Sequence, residues 1–308
     1  MNVVTPNQEE MNPFLQLLLL LFYAIVGAIL FTIISCLIIL AIYGLGIVKD
    51  ISLITAGDPR FTDALKILQI GTSIGMFVAP PLALAYTNRK KPSNFYAFGK
   101  PKAVLLILVL IIMIASMPFM EWVAVTNQKM VLPSGLKWLE DWMKESEEAA
   151  MKMTIQLLTM RNNWDFIVNL VMIAVLPAIG EELMFRGGVQ RSLNKAFNNP
   201  HAAIWLSAII FSAIHMQFYG FVPRLLLGAG FGYLYYFSGS IWYAMLGHFI
   251  NNGYAVCVAF YMQKHNMPLD KAEDPIGFPW YGYLISAILT IALFKLFNDT
   301  AHRERKLG

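Results

Sequence analysis

Two adjacent carboxylates, Glu181 and Glu182, are followed one helical turn later by Arg186, where an uncharged stretch from Phe166 to Gly180 ends. Carboxylates at membrane depth are costly. They face a bundle interior or a wet cavity, and they mark functional sites. Later apolar segments contribute His215, then His248 with Asn252. A carboxylate can take a proton from water, an imidazole can share it, and amide or imidazole N–H groups can receive a developing oxyanion. The set suits hydrolysis inside a bilayer.

Helical geometry divides the labour. Glu182 and Arg186 share a face, with the acid on the favourable N-terminal side. Glu181 points about 100° away. Glu182 is therefore expected to be neutralised by Arg186, which leaves Glu181 free to face a cavity. The plainer alternative for the trio is an interfacial charge cluster at a helix end. His215 bears on that choice. The hairpin containing both motifs turns near Asn198, and Glu181 and His215 lie equally far from it in sequence. Both then sit ~25 Å from the tip on neighbouring helices, so a Glu181–His215 contact is expected. Phe211, one turn before His215, reads as packing. His248 and Asn252 share a helix face. They either bond to each other and to neighbouring helices or form a donor pair for an oxyanion. Asn251 lies on the adjoining face, and His201, His265 and His302 read as ordinary surface residues.

The chain that must position these groups has 308 residues, 57% of them hydrophobic and 14% charged, with mean hydropathy +0.57. Soluble domains carry about 25% charged residues, so this is a membrane composition. A net charge of +4 with scattered basic residues argues against nucleic acid as a partner. Cys36 and Cys257 lie in apolar segments without metal-like spacing, and no disulfide dependence is expected. Residues 1–13 carry Glu9 and Glu10 but no Lys or Arg, unlike the basic start of a cleavable signal.

An all-α polytopic membrane protein is expected, a single membrane domain over residues 1–308. A crossing helix needs ~20 mostly apolar residues, and eight segments are candidates: about 14–43, 65–87, 103–125, 164–190, 200–218, 222–237, 240–262 and 280–297. Phe237-Ser238-Gly239-Ser240 divides the sixth from the seventh. Lys and Arg collect in alternate connections: Arg89, Lys90, Lys91, Lys100 and Lys102, then Arg191 and Lys195, then Arg303, Arg305 and Lys306. The other connections are mixed or acidic, with Asp50, Asp58 and Asp63 in one and Glu273 and Asp274 in another. Positive charge marks the cytoplasmic side, so both termini are expected there, in a cell (inner) membrane. Between 126 and 163, Leu139, Trp142, Met143, Ala150, Met153 and Leu157 recur at helical spacing, with Glu140, Asp141, Lys144, Glu147 and Glu148 at other positions. That is a surface helix, read first as an anchor and second as a lid over 134–158. Glycines at 180, 187, 188, 228, 230 and 232 read as close helix packing.

EELMFR fits Glu-Glu-x-x-x-Arg, FSAIH fits Phe-x-x-x-His, and HFINN fits His-x-x-x-Asn, in that order on separate segments. Residues 160–255 thus resemble the CPBP family of CAAX proteases and bacteriocin-processing enzymes, also called the Abi family, whose eukaryotic relatives include the Ras-converting CAAX endopeptidase. The resemblance implies an intramembrane glutamate-dependent endopeptidase with a core of eight transmembrane helices. It makes Glu181 the activator of the attacking water, assisted by His215, with His248 and Asn252 stabilising the tetrahedral oxyanion. Glu182 and Arg186 hold the motif in shape. Substrates would be peptides or proteins, such as a prenylated CAAX-like protein or a leader peptide, and no cofactor is implied.

Rival readings use the same residues. A zinc hydrolase could take ligands from one Glu and two His, but His-Glu-x-x-His is absent and Arg186 stands beside the acids. A non-catalytic bacteriocin-immunity protein would carry the motifs without turnover. A transporter would place polar groups at matching positions in two halves, whereas here they gather in one.

Overall fold

Asn12 starts the first helix by accepting from the Phe14 N–H, with Pro13 at the first helical position. The computed structural model describes residues 10–50, 52, 54, 58–272 and 274–307, with side chains given up to residue 305. Glu9, Glu273 and the side chain of Lys306 lie outside the described residues. Among the described residues there is no strand, and the longer helices are α1 (Pro13–Tyr43), α2 (Pro59–Thr87), α3 (Ala103–Gln128) and α4 (Lys137–Leu158), then α5 (Asn163–Phe197), α6 (Pro200–Ala213), α7 (Phe221–Ser238), α8 (Trp242–Lys264) and α9 (Trp280–Leu307).

The expected breaks have local causes. Asn198 adopts the left-handed conformation (φ 50°) and turns α5 into α6. Asn199 caps α6 by accepting from the Ala202 N–H. Gly239, at φ 68°, ends α7 within the predicted Ser-Gly-Ser break.

Among the described residues five helices, α1, α2, α3, α5 and α9, are long and apolar enough to cross a membrane. This is a polytopic membrane protein. The expected span 200–218 is shorter in the structure, because α6 ends at Ala213 after 14 residues. That is ~21 Å, short of a ~30 Å hydrocarbon core. His215 consequently sits in the turn after α6, beside Met216 at φ 54°. Helices α7 and α8 have the length of a crossing but carry the interior's polar groups, including Arg224, His248, Asn252 and Gln263, which lowers their apolarity.

Large apolar side chains on α1, among them Leu18, Leu21, Phe22, Ile25 and Ile29, face outward, as a lipid-facing helix requires. Gly27 of α1 and Gly75 of α2 cross backbone to backbone; a Cβ on either would enter the other's carbonyl. Cys36 and Cys257 are free thiols.

The two ends of the bundle differ. At one, Glu10 binds Lys195 at 2.5 Å, Arg191 at 2.7 Å and Lys90 at 3.0 Å, and Arg305 donates to the Phe237 carbonyl. The basic connections therefore do share one face. At the other end Arg161 pairs with Asp63 and Asp165. Burial alone would raise the Glu10 carboxyl, but the bonds from Lys195, Arg191 and Lys90 outweigh it and bring it to about 2. A carboxyl lowered on folding stabilises above its ordinary value of 4.5, and that contribution disappears as pH falls through about 2. The N-terminal end of α1 is thus expected to stay docked at pH 5 and to loosen in strong acid. In Glu10→Gln protein it should already be loosened at neutral pH, as limited proteolysis near residue 10 would report.

Helix α4 forms as the apolar spacing predicts, but one residue is reversed. Glu140, assigned to the polar face, is buried, where Lys144 binds it at 2.5 Å and the Leu132 N–H donates to it. Trp142 stays half-exposed but meets Phe218 with ring centroids 5.2 Å apart, and the Tyr219 N–H donates to Glu147. That docks α4 on the turn between His215 and Arg224.

Candidate active site

Helix α5 carries the acids, and it is not wound uniformly. Leu170–Val175 and Leu183–Gln190 are π-helical, as is Ile74–Val78 of α2. Such wide turns concentrate at functional sites. Close packing accompanies them: a Cβ on Gly180 would meet Phe77 and Val78, one on Gly187 would strike Tyr96, and one on Gly188 would strike Leu20.

Glu182 and Arg186 pair as their spacing requires. Arg186 Nη1 donates to Glu182 Oε1 at 2.9 Å, and both side chains are almost fully buried. The guanidinium also donates through Nη2 to the Gly228 carbonyl of α7 at 2.7 Å and lies 5.0 Å from the Phe211 ring centre and 5.5 Å from that of Phe231. One turn on, Gln190 donates to the Gly232 carbonyl. Glycine at 228 and 232 lets these carbonyls be reached, because a Cβ there would meet Phe211 at 3.0 Å or Gln190 at 2.8 Å. Gly230 differs: its Cβ would meet only Phe294, at 3.5 Å, so close packing does not explain that glycine.

The imidazoles are arranged differently from the expectation. Among the described residues no hydrogen bond or ion pair joins Glu181 to His215. The basic neighbour of Glu181 is His248, whose Nε2 lies 3.8 Å from Glu181 Oε2. The reason is register: α6 stops before His215, whereas α8 brings His248 against both acids. His248 Nδ1 lies 2.8 Å from Glu182 Oε1. A carboxylate can only accept, so Nδ1 carries the proton and Nε2 is the nitrogen turned to Glu181. The Phe231 ring stacks on this imidazole (5.3 Å, 14°). His215 Nδ1 likewise donates to its own helix, to the Phe211 carbonyl at 2.8 Å, which leaves Nε2 free. Phe211 packs between the two imidazoles, 5.1 Å from His215 and 6.1 Å from His248.

Among the described residues no hydrogen bond joins His248 to Asn252, and each is held by its own partners. Asn252 donates through Nδ2 to the Ile173 carbonyl at 2.9 Å and accepts at Oδ1 from Asn251 Nδ2. That carbonyl lies four residues before Pro177, which has no N–H to offer it. Asn252 thus supplies the missing donor and ties α8 to α5, with its second N–H still available. Asn252→Ala should cost about 1–3 kcal/mol by orphaning a part-buried carbonyl. Adding Pro177→Ala should restore the helical N–H and recover the melting temperature. Absence of that rescue in thermal unfolding would refute the account.

Arg224 was not singled out from the sequence. It donates to Gln217 Oε1 at 2.8 Å, and its charge acts on both Glu181 and His215. A lone arginine at the start of the otherwise uncharged run 225–263 was the available signal. His201, expected at the surface, is exposed and bonds Tyr233. Among the described residues no three His, Cys, Asp or Glu side chains converge as a metal ion would require.

Residues 163–254, the stretch from the start of α5 through Asn252, match the sequence model of the family described as type II CAAX prenyl endopeptidase Rce1-like. Over this segment the chain is similar to that family. All six motif residues fall inside it, and the family is one of proteases. No curated protein and no solved structure matches the chain.

Proposed function

We propose that this protein is an intramembrane endopeptidase in which Glu181 is the general base. The observation that carries the reading is the division between the acids: Glu182 Oε1 is held by both Arg186 and His248, while the ion-pair neighbour of Glu181 among the described residues is His248 Nε2, across a 3.8 Å gap. In the reaction Glu181 takes a proton from water as its oxygen attacks the scissile carbonyl carbon. The same carboxyl then gives that proton to the departing amine nitrogen as the C–N bond breaks. His215, held by the Phe211 carbonyl, presents Nε2 to the water. The second Asn252 N–H receives the oxyanion, joined by His248 Nε2 once that nitrogen also carries a proton. Glu182 is a positioning residue that sets the His248 tautomer, and Arg186 holds Glu182.

The substrate is a peptide or protein, of the prenylated CAAX-like or leader-peptide class. The basic end, with both termini, faces the cytoplasm of a cell membrane. What supports that orientation is the gathering of Lys90, Arg191, Lys195 and Arg305 at one end. Hydrolysis proceeds without a bound metal. The donor chemistry favours this, since the carboxylate nearest His248 is already held by a guanidinium at 2.9 Å. The test compares, by mass spectrometry, membrane peptides from cells carrying native or Glu181→Ala protein, followed by cleavage of the emerging candidates in detergent with and without a chelator. Products dependent on Glu181 and indifferent to chelation are expected. Identical peptide sets would favour the immunity reading, and activity restored only by Zn²⁺ would favour a zinc enzyme.

A further inference from the structure

A cavity of about 300 Å³ lies between α3, α7 and α9, with Trp205 of α6 also lining it, beside Phe231. That volume is at the lower end of the ~300–1,000 Å³ typical of ligand sites. Its lining is almost wholly apolar, and its polar members are already satisfied. Ser116 donates to the Met113 carbonyl, Thr290 to the Ser286 carbonyl, and Tyr233 bonds His201. A peptide placed here would lose its backbone hydrogen bonds, at several kcal/mol for each polar group left without a partner. The space suits hydrocarbon.

Two features keep it open. Pro118 interrupts α3, and Ser286 of α9 occupies the break, donating to the Ala115 carbonyl at 2.5 Å and accepting from the Phe119 N–H at 3.0 Å. Ser286 thus bridges two backbone groups one turn apart from the opposite wall, which fixes α3 against α9. The second feature is Gly230, whose missing side chain leaves the α7 wall bare, although a Cβ there would fit. At the rim, Ile291 is 71% exposed on the outer face of α9, in line with exposed Leu284 and Ile288. The mouth therefore opens at hydrocarbon depth on a membrane-crossing helix. Phe231 closes the other side, with its ring stacked on His248.

We infer that this groove binds an acyl chain of a bilayer phospholipid. The chain enters past Ile291, lies along Gly230 and rests on Phe231, behind the imidazole of His248. The headgroup stays with the surrounding lipid, because the groove offers it no polar partner. The inference stands apart from the catalytic reading, since it rests on the cavity and its mouth.

The test uses the full-length protein in phosphatidylcholine vesicles containing a phosphatidylcholine with a mid-chain diazirine, with cross-links mapped by mass spectrometry. Met113, only 6% exposed and lining the groove, should be labelled. Gly230→Leu, which fills the groove from within, should reduce that labelling at least tenfold while labelling of Leu18 and Ile25 on α1 is unchanged. Ile291→Trp, a change on an exposed face that leaves folding intact, should do the same from the mouth. Equal labelling of Met113 in native and Gly230→Leu protein, or none in either, overturns the inference. So does labelling of Met113 by a diazirine-bearing farnesylated peptide but not by the phospholipid, which would make the groove a seat for a substrate's own lipid.

Discussion

Purified Glu181→Gln protein is expected to lose ~10²–10⁴-fold in peptide cleavage while melting at the native temperature. The factor is what a positioned general base contributes. The unchanged stability follows from the surroundings of Glu181: its nearest charged partner is 3.8 Å away, and its side chain is 12% exposed, so replacement by an isosteric amide breaks no close pair. His215→Ala should also abolish cleavage, although His215 bonds to its own helix and not to Glu181. The measurement is a cleavage rate in reconstituted vesicles beside a thermal melt of the same preparation. Cleavage by Glu181→Gln within tenfold of native would remove Glu181 from the mechanism and shift attention to His248.

The opposite pattern is expected at Arg186. Arg186→Leu should destabilise the protein by about 3–5 kcal/mol, because it leaves the Glu182 carboxylate buried without its countercharge. Three further contacts go with it: the bond to the Gly228 carbonyl and the two aromatic faces of Phe211 and Phe231. Lysine should not rescue fully, since a single ammonium cannot reach Glu182 and Gly228 with the planar fork of a guanidinium. The informative control is the double variant Glu182→Gln with Arg186→Leu. With both charges gone, part of the loss should return, as removing one partner costs more than removing both. Equal destabilisation of the single and double variants, read from thermal unfolding in one detergent, would show that the pair is not what makes Arg186 necessary.

The two outcomes separate the acids, which differ by one position in the chain. Under the proposed mechanism Glu181 governs turnover and Glu182 governs integrity, and Asn252 falls between them because its amide serves the Ile173 carbonyl and can still serve an oxyanion.

How much of this was legible in the chain depended on the range of the interaction involved. The Glu182–Arg186 pair, the helical character of every segment, the turns at Asn198 and Gly239 and the surface helix α4 follow from neighbours within one or two turns. Spacing and backbone preference act at that range, so residue order alone determined them. The six candidate site residues also stand out in the sequence, because charge and amide groups are so rare in these apolar stretches that each demands a purpose. Tertiary packing decided the rest. The π-wound turns of α5 coincide with glycines pressed against Phe77, Tyr96 and Leu20, and no local propensity encodes those partners. The same packing set the depth of α8 and gave Glu181 the imidazole of His248 in place of His215. Equal distance from a hairpin tip cannot foresee a helix that ends early at Ala213, nor a carbonyl freed by Pro177 that captures Asn252 from another helix. The groove beside Phe231 lies beyond sequence for the same reason: a void is a property of several helices held apart, and no single one of them contains it.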